Sequence, residues 1–260
     1  MIIDGKKIAE EIKSTLDSAG LKLAIVMVGD DEASKKFIER KEKFAQDIGV
    51  ETRVYNLPAD ISTTELRKKM AEISHIEEND GVILQLPLPV QINTQYVLNG
   101  IIASKDVDVL SSRSFGDFST GRSKILPPVI GAIKEIFKRN NVEVKNKNVV
   151  VVGAGKLVGM PASVWLINQG ATVTVVNEFT PDISKFTKNA DIIISGAGKP
   201  WLIKPEMVKD NVIIIDAGSL VGDVEPTVAE KASLFTPVPG GIGPLTVAMV
   251  FKNLIELNKQ

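Results

Sequence analysis

The sequence predicts an α/β protein of two lobes, each built on a parallel sheet. Three observations carry that expectation. Short apolar runs alternate with amphipathic stretches in both halves of the chain. One run opens directly onto a glycine-rich turn followed by a helix pattern. A weaker stretch rich in Ser, Asp and Gly separates the two alternating series.

The first series starts with a helix over Asp4–Leu16, where Ile8, Ile12 and Leu16 share one face. Leu23–Val28 is a continuous apolar run ending in Gly29-Asp30-Asp31, the pattern of a buried parallel strand and its turn. Glu32–Ile48 is helical, with Gly49 as its C-terminal stop. Glu51–Leu57 is a second strand. Ser62–Asn79 is a helix opened by a capping pattern, Ser62 with Glu65 three residues on. Gly81–Leu86 is a third strand, halted by Pro87 and Pro89. Val90–Lys124 reads as an irregular connection carrying site residues. A helix from Pro127-Pro128 to Lys138 leads into the second series. Its strands are Asn148–Val152, Thr172–Val176, Asp191–Ser195 and Val212–Ile215. Its helices are Pro161–Gln169 and Ile183–Ala190. A glycine–proline loop over Pro237–Pro244 and a helix over Leu245–Leu257 close the chain. The expected division is residues 1–125 with 244–260 in the first lobe and 126–243 in the second. The last helix is expected to pack back on the first lobe.

Composition narrows the function classes. With 44% hydrophobic and 24% charged residues in 260, the chain can bury a sizeable core. A net charge of −1 leaves no electrostatic footprint for nucleic acid or an anionic membrane, and 5% aromatic residues argue against base stacking. The absence of cysteine removes disulfides, thiolate nucleophiles and Cys-based zinc sites, and fits a cytoplasmic protein. The single histidine, His75, lies in a charged helical stretch and reads as a surface residue, so no triad or multi-histidine metal site is expected. Neither a signal region nor a run of about 18 apolar residues occurs.

The chemistry-bearing motif of the second lobe is Val149–Val152 followed by Gly153-Ala154-Gly155-Lys156-Leu157-Val158-Gly159. Glycine at 153 permits a tight turn, and glycine at 155 lets backbone N–H groups approach a pyrophosphate. The helix that follows aims its N-terminal dipole at the anion. A strand before, a helix after, a second strand and then an acid, Glu178, supply the context of a Rossmann dinucleotide site. Leu157 stands where a P-loop needs Ser or Thr, which rejects an ATPase. Glu178 can accept hydrogen bonds from a ribose and repel a 2′-phosphate, which favours NAD, while Lys156 could offset it.

In the first lobe, Phe37 and Lys41 share a helix face one turn apart. Gln85 ends the third strand, where polar side chains meet ligands. Asp106 and Asp108 alternate in a loop and could form a metal site, a helix cap or a ligand clamp; no further ligands at a metal spacing accompany them.

These residues together resemble the bifunctional methylenetetrahydrofolate dehydrogenase/cyclohydrolase family. The matching segments are Val28-Gly29-Asp30-Asp31 with Ala33-Ser34, the helix around Lys41 and Lys43, Gln85-Leu86-Pro87-Leu88-Pro89, Lys105-Asp106-Val107-Asp108, the glycine turn, Gly198-Lys199-Pro200, and Thr236–Thr246. They run in order over nearly the whole chain. The resemblance implies oxidation of 5,10-methylenetetrahydrofolate by a nicotinamide dinucleotide, then hydrolysis of the methenyl product to 10-formyltetrahydrofolate. It implies Lys41 as the catalytic lysine, Gln85 as its partner and Asp108 as the anchor of the pterin. It places substrate near Phe37, Asp106, Pro239, Gly240 and Gly241. Cofactor contacts fall to Gly153, Ala154, Gly155, Lys156, Val158, Gly159, Glu178 and Ser219. NADP is the family's usual cofactor and a homodimer its usual assembly.

The chain departs from the family pattern at several positions. Phe37 replaces a tyrosine, removing a hydroxyl beside Lys41. Val109 replaces a glycine, and Leu126-Pro127-Pro128-Val129 replaces Pro-Cys-Thr-Pro. Gly155 and Glu178 replace small hydroxyl residues and keep NAD open beside NADP. Other readings are a dehydrogenase with weakened hydrolysis, a shikimate-type dehydrogenase and a non-enzymatic dinucleotide sensor.

Overall fold

The computed structural model describes residues 1–18 and 20–259. The chain divides into two compact units, Met1–Glu10 with Val129–Thr246 and Glu11–Pro128 with Val247–Gln260. Helix α1 (Gly5–Lys13) crosses the first boundary in sequence.

The unit containing Glu11–Pro128 has a three-stranded parallel sheet. Strand β1 (Lys22–Val28) lies between β2 (Glu51–Leu57) and β3 (Gly81–Leu84). The sequence explains the order: β1 is apolar and buried along nearly its whole length, whereas β2 carries polar residues and is partly exposed throughout. Helix α2 (Glu32–Asp47) follows β1 and is capped by Asp31, which accepts from the Ser34 amide at 2.7 Å. Helix α3 (Thr63–His75) opens with the expected reciprocal capping box of Ser62 and Glu65. It ends four residues sooner than its charged pattern predicts. Buried Asn79 turns back and donates to the Ile73 carbonyl at 3.0 Å, closing the helix end. Leu66, Met70 and Ile73 pack with Ala24, Val26, Val82 and Leu84 in the core.

The stretch after β3 is more ordered than expected. It contains α4 (Thr94–Leu98), a 3₁₀ turn at Ala103–Lys105 and α5 (Ser112–Ser119). Each α-helix is too short to show a sustained apolar period, but each has a side-chain cap, Asn93 on the Tyr96 amide and Ser111 on the Ser114 amide.

The other unit holds α6 (Pro128–Arg139) and a five-stranded parallel sheet. Its elements are β4 (Asn148–Val152), α7 (Gly159–Asn168), β5 (Thr172–Val176), α8 (Ser184–Thr187), β6 (Ile192–Ser195), β7 (Ile213–Asp216) and β8 (Leu234–Phe235). The sheet order β5-β4-β6-β7-β8 leaves β5 at an edge. Helix α8 is a single turn, shorter than the expected Ile183–Ala190. Two features escape the sequence pattern. Strand β8 has only two residues, and Ile2 bridges it, with Ile3 donating to the Phe235 carbonyl at 2.9 Å. Residues 1–10, expected with the first lobe, therefore belong to this unit.

Helix α9 (Ile242–Leu257) starts three residues before the expected Leu245, because Pro244 needs no amide donor in a first turn. Its C-terminal half packs in the unit of β1–β3, as the sequence predicts. Phe251 stacks on Phe44 of α2 with centroids 5.0 Å apart, and Asn258 donates to the Asp80 carbonyl.

Candidate active site

Helix α2 turns Ser34, Ile38, Phe44 and Ala45 inward, and Lys41 falls on the same stripe between two apolar turns. A lysine there is not a solvated charge. Its Nζ donates to Gln85 Oε1 at 3.0 Å. Gln85 is buried at the end of β3, and its own amide nitrogen donates to the Leu86 carbonyl at 2.8 Å, so its oxygen is the atom left facing the lysine. Burial pushes the Lys41 pKa down from its ordinary value, opposed by the negative charge of Asp108. Burial likewise pushes Asp108 up; the lysine opposes that shift and Asp106 adds to it. Lys41, Gln85 and Asp108 thus form one electrostatic cluster. Phe37 stands one turn before Lys41, partly exposed, with the Arg40 guanidinium 5.5 Å from its ring centre.

Asp106 has a different place from the one expected beside substrate. It is 1% exposed, and its two oxygens accept from the Leu110 and Ser111 amides at 3.2 and 2.8 Å. With each oxygen bonded to a loop amide, it shapes the chain around Asp108. Val109 turns the corner at φ +58, a left-handed conformation costly for a β-branched residue and natural for the glycine it replaces. Sequence reasoning missed Asn253. From α9 it donates to the carbonyls of Val107 and Leu126, at 2.9 and 2.8 Å, and so holds the residue before Asp108. Its place at helical spacing from the apolar Met249, Val250 and Leu257 was the available signal.

The glycine turn lies in the other unit. A Cβ on Gly153 would come 2.7 Å from the Gly196 carbonyl, and one on Gly159 would come 1.8 Å from the Gly153 carbonyl. Those two glycines are demanded by packing. A Cβ on Gly155 would meet nothing within 4 Å, so this glycine fronts open space, as close approach of a pyrophosphate requires. Ala154, Lys156 and Leu157 are exposed on the same rim, and Val158 packs against Gly196. Glu178 is exposed beyond the end of β5, and Ser219 is exposed after β7. Pro239, Gly240 and Gly241 follow β8 in this unit; Gly5 donates to the Gly240 carbonyl at 2.8 Å.

Other candidates hold none of these residues. A groove of about 540 Å³ runs along α3 and α4 past Arg67, Tyr96 and His75. His75 is exposed, as predicted. Among the described residues, no group of three His, Cys, Asp or Glu could hold a metal ion, and no helix is long and apolar enough to cross a membrane.

A dinucleotide-type glycine turn in one α/β unit and a desolvated lysine–glutamine–aspartate cluster in another define a two-unit α/β oxidoreductase. Comparison with known proteins makes this specific. The model for the tetrahydrofolate dehydrogenase/cyclohydrolase catalytic domain matches residues 3–108, and that for the NAD(P)-binding domain of the same family matches 127–260. The bifunctional protein FolD of Nautilia profundicola is 40% identical over 275 residues, covering 99% of this chain and 97% of its own. The dehydrogenase/cyclohydrolase FolD of Campylobacter jejuni is similar in structure, with a TM-score of 0.91 and 34% identity over 99% of this chain and 98% of that one. The Trypanosoma brucei enzyme, solved with NADP and an inhibitor, has a TM-score of 0.93 and 31% identity, covering 99% and 96%. The chain belongs to the tetrahydrofolate dehydrogenase/cyclohydrolase family.

Proposed function

We propose that Lys41 carries the hydrolytic step of a methylenetetrahydrofolate dehydrogenase and methenyltetrahydrofolate cyclohydrolase, with Gln85 orienting it and Asp108 binding the pterin. The observation that carries this reading is the 3.0 Å contact between Gln85 and a lysine whose charged form is disfavoured by burial. A lowered pKa makes the neutral amine easier to reach than in an ordinary lysine, and that form can take a proton from water. As the water oxygen bonds to the methenyl carbon, its proton passes to Lys41 Nζ. The carbon–N5 bond then breaks, Lys41 returns a proton to N5, and the remaining hydroxyl proton leaves to solvent as the N10-formyl group forms. The positive methenyl group beside Lys41 further disfavours ammonium. Asp108 pairs with the planar donors of the pterin edge, and Phe37 stacks on its face.

The bound dinucleotide supplies the hydride acceptor for the preceding oxidation. Gly153, Ala154, Gly155, Lys156, Val158 and Gly159 would hold its phosphates, Glu178 and Ser219 would contact the rest of the dinucleotide, and Pro239, Gly240 and Gly241 would contact substrate. NADP is our choice, supported by the family's NAD(P)-binding domain and the NADP complex of the Trypanosoma brucei relative. The protein acts in the cytoplasm as a homodimer; exposed Ile167, Val175 and Phe186 around the edge strand β5 support self-association. Phe37 favours a second reading, in which oxidation outruns a weakened hydrolysis.

Initial rates on methylenetetrahydrofolate with NADP and with NAD test the proposal, following reduced nicotinamide and methenyl product separately. Reduction of NADP without lasting methenyl accumulation is expected. Turnover of NAD alone would overturn the cofactor choice, and no turnover with either would overturn the reading.

A further inference from the structure

Two buried aspartates of the dinucleotide unit touch no expected site residue with an exposed side chain, yet the loops of that site hang from them. Asp223 is fully buried. Its Oδ2 accepts from the Ser195 hydroxyl at 2.8 Å and the Ala197 amide at 2.7 Å, and its Oδ1 from the Lys199 amide at 2.9 Å. Asp216, 1% exposed, accepts from the Gly218 and Asp223 amides on Oδ1 at 2.9 and 3.2 Å, and from the Val224 amide on Oδ2 at 2.9 Å. Every partner is a donor, so each carboxylate serves purely as an acceptor.

Two acids so close in the interior are an expensive scaffold. Burial and the neighbouring Asp223 both push the Asp216 pKa up. What they secure is a set of loops. The segment hung on Asp223 carries Gly196 and Ala197, against which Gly153 packs so closely that it admits no Cβ. Gly196 in turn leaves no room beside Val158 of the same turn. The segment hung on Asp216 carries Ser219. Thr236, whose Oγ1 accepts from the Asp216 amide at 2.7 Å, leads into Pro237–Gly241. Trp201 and Leu220, in these same loops, adopt left-handed φ values of +53 and +55, which persist only where surrounding contacts enforce them.

We propose that Asp223, supported by Asp216, is a positioning residue for dinucleotide binding, acting through the Gly196–Lys199 loop on the glycine turn. The proposal rests on the dehydrogenase reading above. It separates the two activities, because Lys41, Gln85 and Asp108 belong to the other unit. In Asp223→Asn, the amide nitrogen would face donors where an oxygen now accepts, and the loop loses its anchor.

The test is made on the full chain. NADPH and NADH binding are measured directly by calorimetry, NADP KM and kcat by turnover, and hydrolysis with supplied methenyltetrahydrofolate. Asp223→Asn is expected to raise the NADP Kd and KM by about tenfold or more, the scale of a lost charged hydrogen bond. It should change kcat little and leave hydrolysis within about twofold of wild type. Ser195→Ala removes one donor and keeps the carboxylate; about a threefold rise in Kd is expected. Should Asp223→Asn fail to melt cooperatively, Ser195→Ala decides alone. Unchanged affinity in a folded variant, or hydrolysis falling in parallel with affinity, overturns the proposal. A wild type that binds and oxidises normally while the variants do the same refutes only this inference. A wild type that binds neither dinucleotide refutes the functional reading as well.

Discussion

Lys41 is drawn out of solvent beside Gln85 and Asp108, and that environment has opposite consequences for stability and chemistry. Its pKa is lowered on folding, so the folded state favours the neutral amine. Below the lowered pKa, the fold bears the full cost of a desolvated ammonium. That cost shrinks as pH rises from the folded pKa toward the ordinary value of 10.5. Lys41→Met is therefore expected to melt higher than wild type at neutral pH, by about 2–4 °C per kcal/mol relieved, while losing about 10²- to 10⁴-fold in hydrolysis. Calorimetry and a methenyl hydrolysis assay check the two halves; a variant that melts lower would contradict the burial argument. At Phe37 the missing hydroxyl is the issue. Phe37→Tyr restores one donor and acceptor beside the lysine and is expected to raise the hydrolysis rate by about threefold to tenfold with little change in oxidation. Position 41 was legible as a candidate only through the family resemblance, since by its helix spacing alone it reads as one solvated charge among many. Its desolvation was not, because that depends on Gln85, 44 positions away, and on Asp108. Asp106 shows the converse. Its alternation with Asp108 suggested a shared role, but a loop that must satisfy the amides of Leu110 and Ser111 takes its carboxylate instead.

At the scale of elements, the parallel strands were plain in the sequence because central strands such as β1 and β4 are apolar without alternation. The short helices α4 and α5 were hidden for want of periods, and β8 because two residues carry no pattern. The glycine turn was legible as a motif, with Gly153 read as the tight turn and Gly155 as the point of phosphate approach; the packing that bars a side chain at Gly159 was not, because it depends on the turn folding back on the Gly153 carbonyl. Gly155→Ala is expected to fold with an unchanged melting temperature and to bind dinucleotide more weakly, because its Cβ enters open space that the proposed site leaves for the phosphates. Gly159→Ala is expected to destabilise or misfold, since its Cβ would meet the Gly153 carbonyl at 1.8 Å. Thermal melts with and without NADP distinguish the pair; equal melting losses would refute the assignment. On α9, Asn253→Ala leaves the Val107 and Leu126 carbonyls without their donor. A loss of about 1–3 kcal/mol with a raised folate KM is expected, measured by denaturant unfolding and substrate titration.

For the molecule as a whole, the residues proposed for hydrolysis and pterin binding lie in one compact unit and those proposed for dinucleotide binding in the other, while α9 contributes residues to both. The near-neutral charge and absence of cysteine, read from composition, agree with a protein that handles a small-molecule substrate and needs no disulfide. The proposed self-association has no signal in the linear pattern, because the exposed apolar residues Ile167, Val175 and Phe186 come from three different elements. Sedimentation at twice the 28.1 kDa chain mass is expected, and Val175→Glu on the edge strand is expected to yield monomer. A wild type that sediments as a monomer at micromolar concentration would contradict the dimer.

The central claim is that Lys41 drives hydrolysis without being needed to hold the dinucleotide. The most direct measurement is one time course of Lys41→Met with methylenetetrahydrofolate and NADP, recording reduced nicotinamide and methenyl product together. The account predicts methenyltetrahydrofolate accumulating mole for mole with NADPH, where wild type accumulates little. Formyl product appearing at the wild-type rate would contradict it.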